Sequence, residues 1–372
     1  MTTNPKVSVI LPTYNDIDYL PHAIESMMRQ TMPDFELIII NDGSTDGTET
    51  YLKNLVDPRI SVISQENRRL PASLNVGIQA ASCELVTWIS SDNYCAPYFL
   101  EAFLNAFAKY PSTSFACSAF AWIDNSNNII SVTRNQNTSP AFLLTANPGL
   151  ASFMYRKSCH DTVGWYDQDL EGAEDWDMWL RISETGNILY LEEILYYYRT
   201  HDRSMTATIP ERIRSSCQKA FTKGLMRREN IISVKKEYCI KECSRTEEAM
   251  LMAHMGSRFL KSPFEASEYA FTLLDEAKDI IPDNRCIYYN LLVSALRTNR
   301  MEVAFNTAQS FASTDPGFKT LCDIIASGNR DAIDQLLSQL PIMDISLTAE
   351  LLSKQMGAFK YSFTANRPAP KC

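Results

Sequence analysis

The sequence predicts an α/β domain followed by an all-α domain. Two observations predict the first domain. Short β-branched runs alternate with helix-length segments, and each of the first two runs ends in a polar, turn-forming cluster. The runs are Val7–Leu11, which breaks at Pro12, and Phe35–Ile40, which breaks at Asn41. Such runs are typical of buried parallel strands, and ligands bind at the carboxyl ends of such strands. A third observation, the loss of strand-like runs after Pro210, predicts the helical domain.

The remaining elements of the first domain follow from the same alternation of patterns. Later apolar runs predict strands at Ile60–Ser64, Leu85–Ser90, Phe115–Ile123, Gly149–Tyr155 and Leu195–Arg199. The intervening segments predict helices at Tyr19–Gln30, Thr45–Leu55, Pro71–Ala81, Pro97–Lys109 and Asp175–Thr185. The cluster of turn formers at Asp124–Asn128 predicts a hairpin before Ile129.

The helical part contains one recurring pattern. Ala270, Ala277 and Pro282 recur 34 residues later as Ala304, Phe311 and Pro316. This unit resembles a tetratricopeptide repeat, in which small residues let antiparallel helices pack closely, although Leu292 stands where that family usually has glycine. A generic helical bundle stays open as the alternative. We therefore predict a first domain at 1–209, a tetratricopeptide-like domain at 210–363 and a disordered tail at 364–372.

Composition restricts the class of function. The chain has 372 residues and a formal charge of −9, and no basic stretch stands out, so nucleic acid is not an expected partner. Ten cysteines are scattered singly, which suits a cytoplasmic protein with reduced thiols. No secretory signal or membrane-length apolar run is visible. An acidic protein that binds a nucleotide diphosphate needs a divalent cation or aligned dipoles to offset repulsion.

Ionisable residues follow or open the predicted elements at four places. They are Asp42, Asp92, Asp175 and His201. Each has a plain structural interpretation when taken alone: an aspartate after a strand is often a turn residue or cap, acidic residues favour a helix N-terminus, and a lone histidine is usually structural. Their joint position near the ends of apolar segments favours a shared site.

The arrangement resembles the inverting nucleotide-sugar glycosyltransferases of family 2, which have the GT-A fold. The matching segments span about the first 205 residues in the order of the family. They are Val7–Asn15, Asn41–Thr48, Asn75-Val76-Gly77, Trp88–Asn93, Gly172–Arg181 and Tyr198–His201. The resemblance implies a GT-A catalytic domain with a Rossmann-like mixed sheet.

The resemblance also implies roles in binding the donor. Pro12, Thr13 and Tyr14 would form the floor and wall of the base pocket. Asp42 would accept a hydrogen bond from the base imide, which suits uracil or thymine and hence a UDP- or dTDP-linked sugar. Asn75 would contact the nucleotide from the helix beside this pocket.

The resemblance further implies metal-assisted chemistry. Asp92 would bind both the donor and a divalent cation, Mg²⁺ or Mn²⁺, and His201 would complete the coordination or contact the diphosphate. Asp175 would be the general base that takes the proton of the acceptor hydroxyl. The acidic motif departs from the family, because Ser90 and Asn93 flank Asp92 where the family often has a second carboxylate.

We therefore expect transfer of a single sugar to a glycan or lipid-linked acceptor, as in surface polysaccharide assembly. The Gln-x-x-Arg-Trp signature of processive synthases is absent. A protein acceptor held by the helical domain is the alternative, and a non-catalytic scaffold is less favoured because Asp175 is intact. Peripheral association with the inner face of the membrane and self-association through the helical domain both stay open.

Overall fold

The computed structural model describes residues 4–134, 143–144, 147, 149–227, 244–264, 266–312, 316–345 and 360–361. The chain divides into two compact units. The first comprises residues 1–228 and 358–372, and the second comprises residues 229–357. The predicted tail at 364–372 lies outside the described residues. The first unit continues past residue 209 because the helix Pro210–Arg227 packs on the helix Glu174–Thr185.

The strands of the first unit form one mixed sheet. They are β1 Val7–Thr13, β2 Phe35–Asp42, β3 Ile60–Gln65, β4 Leu85–Trp88, β5 Tyr94–Cys95, β6 Thr113–Ile123, β7 Ile129–Thr133, β8 Phe153–Arg156, β9 Asn187–Arg199 and β10 Lys360–Tyr361. Their order is β10-β9-β6-β8-β4-β1-β2-β3, with β5 paired to β9 and β7 paired to β6. The predicted α/β class with a mixed sheet is confirmed, and the predicted hairpin joins β6 to β7.

Helices of the first unit cover this sheet. They are α1 Leu20–Met28, α2 Thr48–Lys53, α3 Arg69–Ala80, α4 Phe99–Lys109, α5 Cys159–Val163, α6 Glu174–Thr185, α7 Met205–Thr208 and α8 Pro210–Arg227, with a 3₁₀ turn at Gln168–Leu170. Apolar residues recur at helical spacing on α4, where Phe99, Phe103 and Phe107 are buried. Strands β1 and β2 are buried along almost their whole length, as a parallel sheet covered on both faces requires.

Strand direction places one edge of the sheet at the candidate site. Strands β4, β1 and β2 are parallel neighbours, so their carboxyl ends lie at the same edge. Strand β8 is antiparallel to both β4 and β6, and β9 is parallel to β6. Strand β9 therefore runs in the direction of β4. The residues after β1, β4 and β9 and the end of β2 consequently share this edge.

In its described residues the second unit consists of helices. They are α9 Arg245–Lys261, α10 Ser267–Ile280, α11 Arg285–Arg297, α12 Met301–Ala312, α13 Pro316–Ser327 and α14 Arg330–Gln339. Helices α10 and α12 begin 34 residues apart, at Ser267 and Met301, and each buries its small residue, Ala270 or Ala304. The helical second domain is confirmed, and its tetratricopeptide identity stays a prediction.

Gly77 lets α3 pack closely on β1. A Cβ atom at this position would collide with the buried Ile10 side chain. We expect Gly77→Ala to lower the free energy of unfolding by ~1–3 kcal/mol, because overpacking outweighs the better helix propensity of alanine. Urea denaturation measures this change, and Gln79→Ala on the exposed face of the same helix should stay within ~0.5 kcal/mol of the parent. A Gly77→Ala protein as stable as the parent would contradict the packing argument.

Candidate active site

Asp92 and His201 meet at the carboxyl edge of the sheet. Asp92 lies four residues after β4, and His201 lies two residues after β9. The Nε2 atom of His201 is 3.0 Å from Oδ2 of Asp92, and His201 is only 7% exposed. The other polar atom of each side chain, Oδ1 of Asp92 and Nδ1 of His201, is buried without a hydrogen-bond partner in the described structure. The two residues predicted as metal ligands are therefore adjacent, and each keeps one polar atom that could bind a ligand.

The buried side chain of Arg199 fixes the segment that carries Asp92. Its Nε donates to the carbonyl oxygen of Asp92 at 2.9 Å, and its Nη1 donates to the carbonyl oxygen of Asp124 at 3.0 Å. The backbone N–H of Arg199 donates to Oδ1 of Asn93 at 2.7 Å. Asn93, a departure from the family motif, is thus a structural contact here. Sequence reasoning assigned no role to Arg199, although it lies inside the Tyr198–His201 motif.

Asp16 is a second carboxylate beside this pair that sequence reasoning missed. Ser91 donates its hydroxyl to Oδ2 of Asp16 at 2.5 Å. Burial raises the pKa of Asp16, the Ser91 hydrogen bond opposes that rise, and the charge on Asp92 adds to it. No motif carries Asp16, so its position could be found only once β1 and β4 are side by side.

The carboxylate of Asp42 is held by the N-terminus of α3. It accepts hydrogen bonds from the backbone N–H groups of Arg68 at 2.9 Å and Arg69 at 2.8 Å, and from Nε2 of Gln65 at 2.6 Å. Asp42 is 4% exposed. A carboxylate has about four acceptor sites, so roughly one remains for a ligand. Arg69 itself has a φ of 69°, a left-handed backbone conformation at the start of α3.

The turns after β1 and β2 are joined to each other. The N–H of Asn15 donates to Oγ of Ser44 at 3.1 Å, and the N–H of Thr45 donates to Oδ1 of Asn15 at 2.7 Å. Thr13 is buried with its hydroxyl unpartnered in the described structure, and Tyr14 is 50% exposed.

The end of β1 therefore offers the buried hydroxyl of Thr13 and the exposed ring of Tyr14 beside the turn that follows β2. Pro12, the remaining residue of the predicted base pocket, is buried at the end of β1.

Asn75 anchors the loop after α5. Its Nδ2 donates to the carbonyl oxygen of Tyr166 at 2.9 Å, and its Oδ1 accepts the N–H of Tyr166 at 2.9 Å. Trp88 also holds this loop, because its Nε1 donates to the Tyr166 hydroxyl at 3.0 Å. The expected contact of Asn75 with a nucleotide stays a prediction, and the structure shows a positioning contact.

Glu174 and Asp175 form a pair of carboxylates at the N-terminus of α6. Burial and the neighbouring Asp175 raise the pKa of Glu174, and burial raises the pKa of Asp175. Oε2 of Glu174 accepts the N–H of Gly172 at 2.6 Å, and Oδ1 of Asp175 accepts the N–H of Trp176 at 2.6 Å. One oxygen of each carboxylate thus accepts a nearby backbone N–H, and the other oxygen remains for a further contact.

Tyr198 is close enough to the carboxylate pair and to Asp92 for all three charges to act on it. Burial raises the pKa of Tyr198 to about 12, and the charges of Asp92, Asp175 and Glu174 all contribute to that rise. Asp42 joins the same neighbourhood through Arg69, whose guanidinium lies 3.5 Å from Glu171, three residues before Glu174. Asp92 and His201 therefore lie together, and Asp42 is joined through Arg69 to the segment that leads into α6. A separate cavity, lined by residues such as Glu84, Lys157 and Trp165, contains none of them.

Comparison with known proteins identifies the first unit. Residues 8–176 match the family model described as glycosyl transferase family 2. Residues 8–176, within the first unit, therefore form a family 2 glycosyltransferase domain. A glycosyltransferase of Rickettsia typhi is 28% identical over 242 residues, which are 62% of this chain and 76% of that protein. The chondroitin synthase of Pasteurella multocida is 31% identical over 199 residues, 52% of this chain and 20% of the synthase.

The solved structures agree on the fold. TarS of Staphylococcus aureus, residues 1–349 in complex with UDP, superposes with a TM-score of 0.51 at 16% identity, covering 92% of this chain and 94% of that one. Likeness at this identity supports the GT-A fold alone. The predictions of family and transferase activity are confirmed. Within the described residues, no helix is both long enough and apolar enough to cross a bilayer.

The carboxylate pair of the glycosyltransferase domain makes stability depend on pH. Because the pKa of Glu174 is raised on folding, its contribution is fully present below the unfolded value of about 4.3 and is lost as pH rises through the folded value. Glu174→Gln removes this ionisation while keeping an oxygen for the N–H of Gly172.

We therefore expect the stability advantage of Glu174→Gln over the parent to grow by at least about 1 kcal/mol between pH 5 and pH 8, since one pKa unit corresponds to about 1.4 kcal/mol. Thermal unfolding at both pH values measures it. Glu211→Gln, at an exposed position of α8, is the matched control and should show no such trend. An advantage equal at both pH values would contradict the raised pKa.

Proposed function

We propose that the chain is a cation-dependent inverting glycosyltransferase that moves one sugar from a UDP- or dTDP-linked donor to a hydroxyl of a glycan or lipid-linked acceptor. The observation that carries this proposal is the 3.0 Å contact between His201 and Asp92 at the carboxyl edge of the sheet, in a domain whose helix α6 opens with the oriented carboxylate of Asp175. Polysaccharide synthesis by relatives such as the chondroitin synthase supports a glycan acceptor.

Asp175 suits the role of base. Burial raises its pKa above the usual value, which brings it closer to the working pH, and a general base is most efficient there. One of its oxygens accepts the N–H of Trp176, so the side chain is oriented and the other oxygen can accept the proton of the acceptor hydroxyl. That deprotonation lets the hydroxyl oxygen attack the anomeric carbon from the face opposite the leaving nucleotide, which inverts the configuration.

Asp92 and His201 keep donor atoms that a divalent cation could use. His201 Nε2 contacts Asp92 Oδ2 at 3.0 Å, while Oδ1 of Asp92 is buried without a hydrogen-bond partner in the described structure and would be available to a cation. The described residues contain no group of three or more ligating side chains. This suits Mg²⁺ or Mn²⁺, which take few protein ligands when phosphate oxygens supply the rest. The bound cation would stabilise negative charge on the departing nucleoside diphosphate.

The base pocket would lie between the turns after β1 and β2. Tyr14 offers an exposed ring and Thr13 an unpartnered hydroxyl, while Asp42 keeps roughly one acceptor site. The imide N–H of uracil or thymine is a single donor, and it matches that remaining capacity. Because Asp42 is already held by two backbone N–H groups, it would present this acceptor site in a fixed position.

A panel of nucleotide sugars tests the proposal. With a matching donor and acceptor, we expect nucleotide release that stops when the divalent cation is chelated. Asp175→Asn should slow release by ~10²- to 10⁴-fold, the usual contribution of a general base. Asp92→Ala should weaken the response to cation. Asp169→Asn, at an exposed position a few residues before α6, is the matched control and should match the parent.

Two outcomes contradict the proposal. Release by both site variants as fast as by the parent, with acceptor present, would contradict the assigned mechanism. Calorimetry showing that the parent binds no nucleotide with Mg²⁺ or Mn²⁺ would instead favour the non-catalytic scaffold.

A specific observation favours a peptide acceptor as the second candidate. In the second unit, the carboxamide of Asn290 donates to the carbonyl oxygen of Met343 and accepts its N–H, both at 2.9 Å. Nδ1 of His254 also donates to the carbonyl oxygen of Ile345 at 2.6 Å. These helices thus already bind the backbone of an extended segment, which is how a tetratricopeptide-like groove would hold a peptide.

Mass spectrometry separates the two acceptor classes. The full chain is incubated with the matching donor and an equal mixture of oligosaccharides and Ser/Thr-containing peptides. For the leading proposal we expect the mass of one sugar on the oligosaccharides and no change in the peptides. Sugar on the peptides alone would replace the glycan acceptor with a protein acceptor.

A further inference from the structure

We propose that Asp16 supports the cation site through cation-bound water, as a carboxylate beside the Ser90–Asn93 segment, which lacks a second acid of its own. This inference rests on the proposed function. Asp92 is the single acidic residue of that segment. Asp16 comes from the turn after β1, 76 positions earlier in the chain, and reaches the same site.

The backbone and the side chain of Asp16 have different hydrogen-bond partners. Its carbonyl oxygen accepts the N–H groups of Tyr19 at 3.0 Å and Leu20 at 2.9 Å, and so begins α1. Its carboxylate instead accepts the hydroxyl of Ser91 at 2.5 Å. The side chain is therefore not needed to cap the helix, and it is held against the residue next to Asp92.

The charged groups around Asp16 are engaged with other partners. Arg203, whose charge reaches Asp16, is paired with Asp18 at 2.8 Å. Arg199 donates to carbonyl and amide oxygens, including those of Asp92 and Asp124.

Across the described residues, no lysine or arginine forms an ion pair with Asp16 or Asp92, and His201 is the ion-pair partner of Asp92. Two nearby carboxylates repel each other when partly buried, and a divalent cation with its water shell would remove that repulsion.

Ser91 sets the position of Asp16 within this site. It is 4% exposed, and its backbone belongs to the segment that Arg199 fixes. A carboxylate held in this way could accept a hydrogen bond from cation-bound water, and such supporting contacts typically change metal affinity by roughly 10- to 100-fold. Asp16 would therefore act on the affinity for the cation more than on the proton transfer at Asp175.

Manganese binding by the full chain tests the inference. Free Mn²⁺ is titrated with protein in the presence of saturating UDP, and the free ion is measured by electron paramagnetic resonance. We expect Asp16→Asn to raise the Kd for Mn²⁺ by ~10- to 100-fold and to leave UDP binding in EDTA unchanged. Glu25→Gln, at an exposed position of α1, is the matched control and should stay within about twofold of the parent.

The outcomes distinguish this inference from the proposed function. Equal Mn²⁺ affinity in Asp16→Asn and the parent overturns the role of Asp16 and leaves the proposed function standing. A parent protein that binds UDP but no Mn²⁺ overturns the cation-dependent function itself. If circular dichroism shows that Asp16→Asn is unfolded, Ser91→Ala carries the test. It should weaken Mn²⁺ binding severalfold, and an unchanged Kd in that variant overturns the inference.

Discussion

The site depends on one constraint: parallel strands that are hydrogen-bonded side by side must end at the same edge of the sheet. Strands β4, β1 and β2 obey it directly, and β9 runs in the same direction through two antiparallel steps. Residues as distant in sequence as Asp16, Asp92 and His201 therefore gather at one place. The interior of the sheet is apolar, so these polar groups can reach solvent and ligands only where the strands end.

The buried side chain of Arg199 then holds the segments that carry these residues in place. The guanidinium of Arg199 has oxygens of the Asp92 and Asp124 segments as its hydrogen-bond acceptors, and its charge is not cancelled by a carboxylate in the described structure. Desolvating an arginine is costly unless its donors are satisfied, so these segments are held strongly in place.

The sequence predicted those parts of the site that lie within continuous motifs. Asp92 and His201, which lie 3.0 Å apart, were predicted in this way, as were the two turns at the strand ends, and their roles stay predictions. The contacts of Asp16, Asn75 and Arg199 were missed or assigned differently, because each joins segments that are distant in the chain. The carboxamide of Asn75, for example, is hydrogen-bonded to the backbone of Tyr166, 91 positions away. Local pattern defines which elements exist, but side-chain pairing depends on the register in which they meet.

The carboxylate pair at α6 shows how one of two adjacent acids can serve as the base. Glu174 is the more buried partner, and the charge on Asp175 disfavours its ionisation. A protonated Glu174 leaves Asp175 as the ionised group, and the N–H groups at the helix N-terminus stabilise that single negative charge. Both acids ionised together would repel each other in a site with little water. The environment therefore assigns different protonation states to the two neighbouring carboxyls, and Asp175 is the one that remains charged.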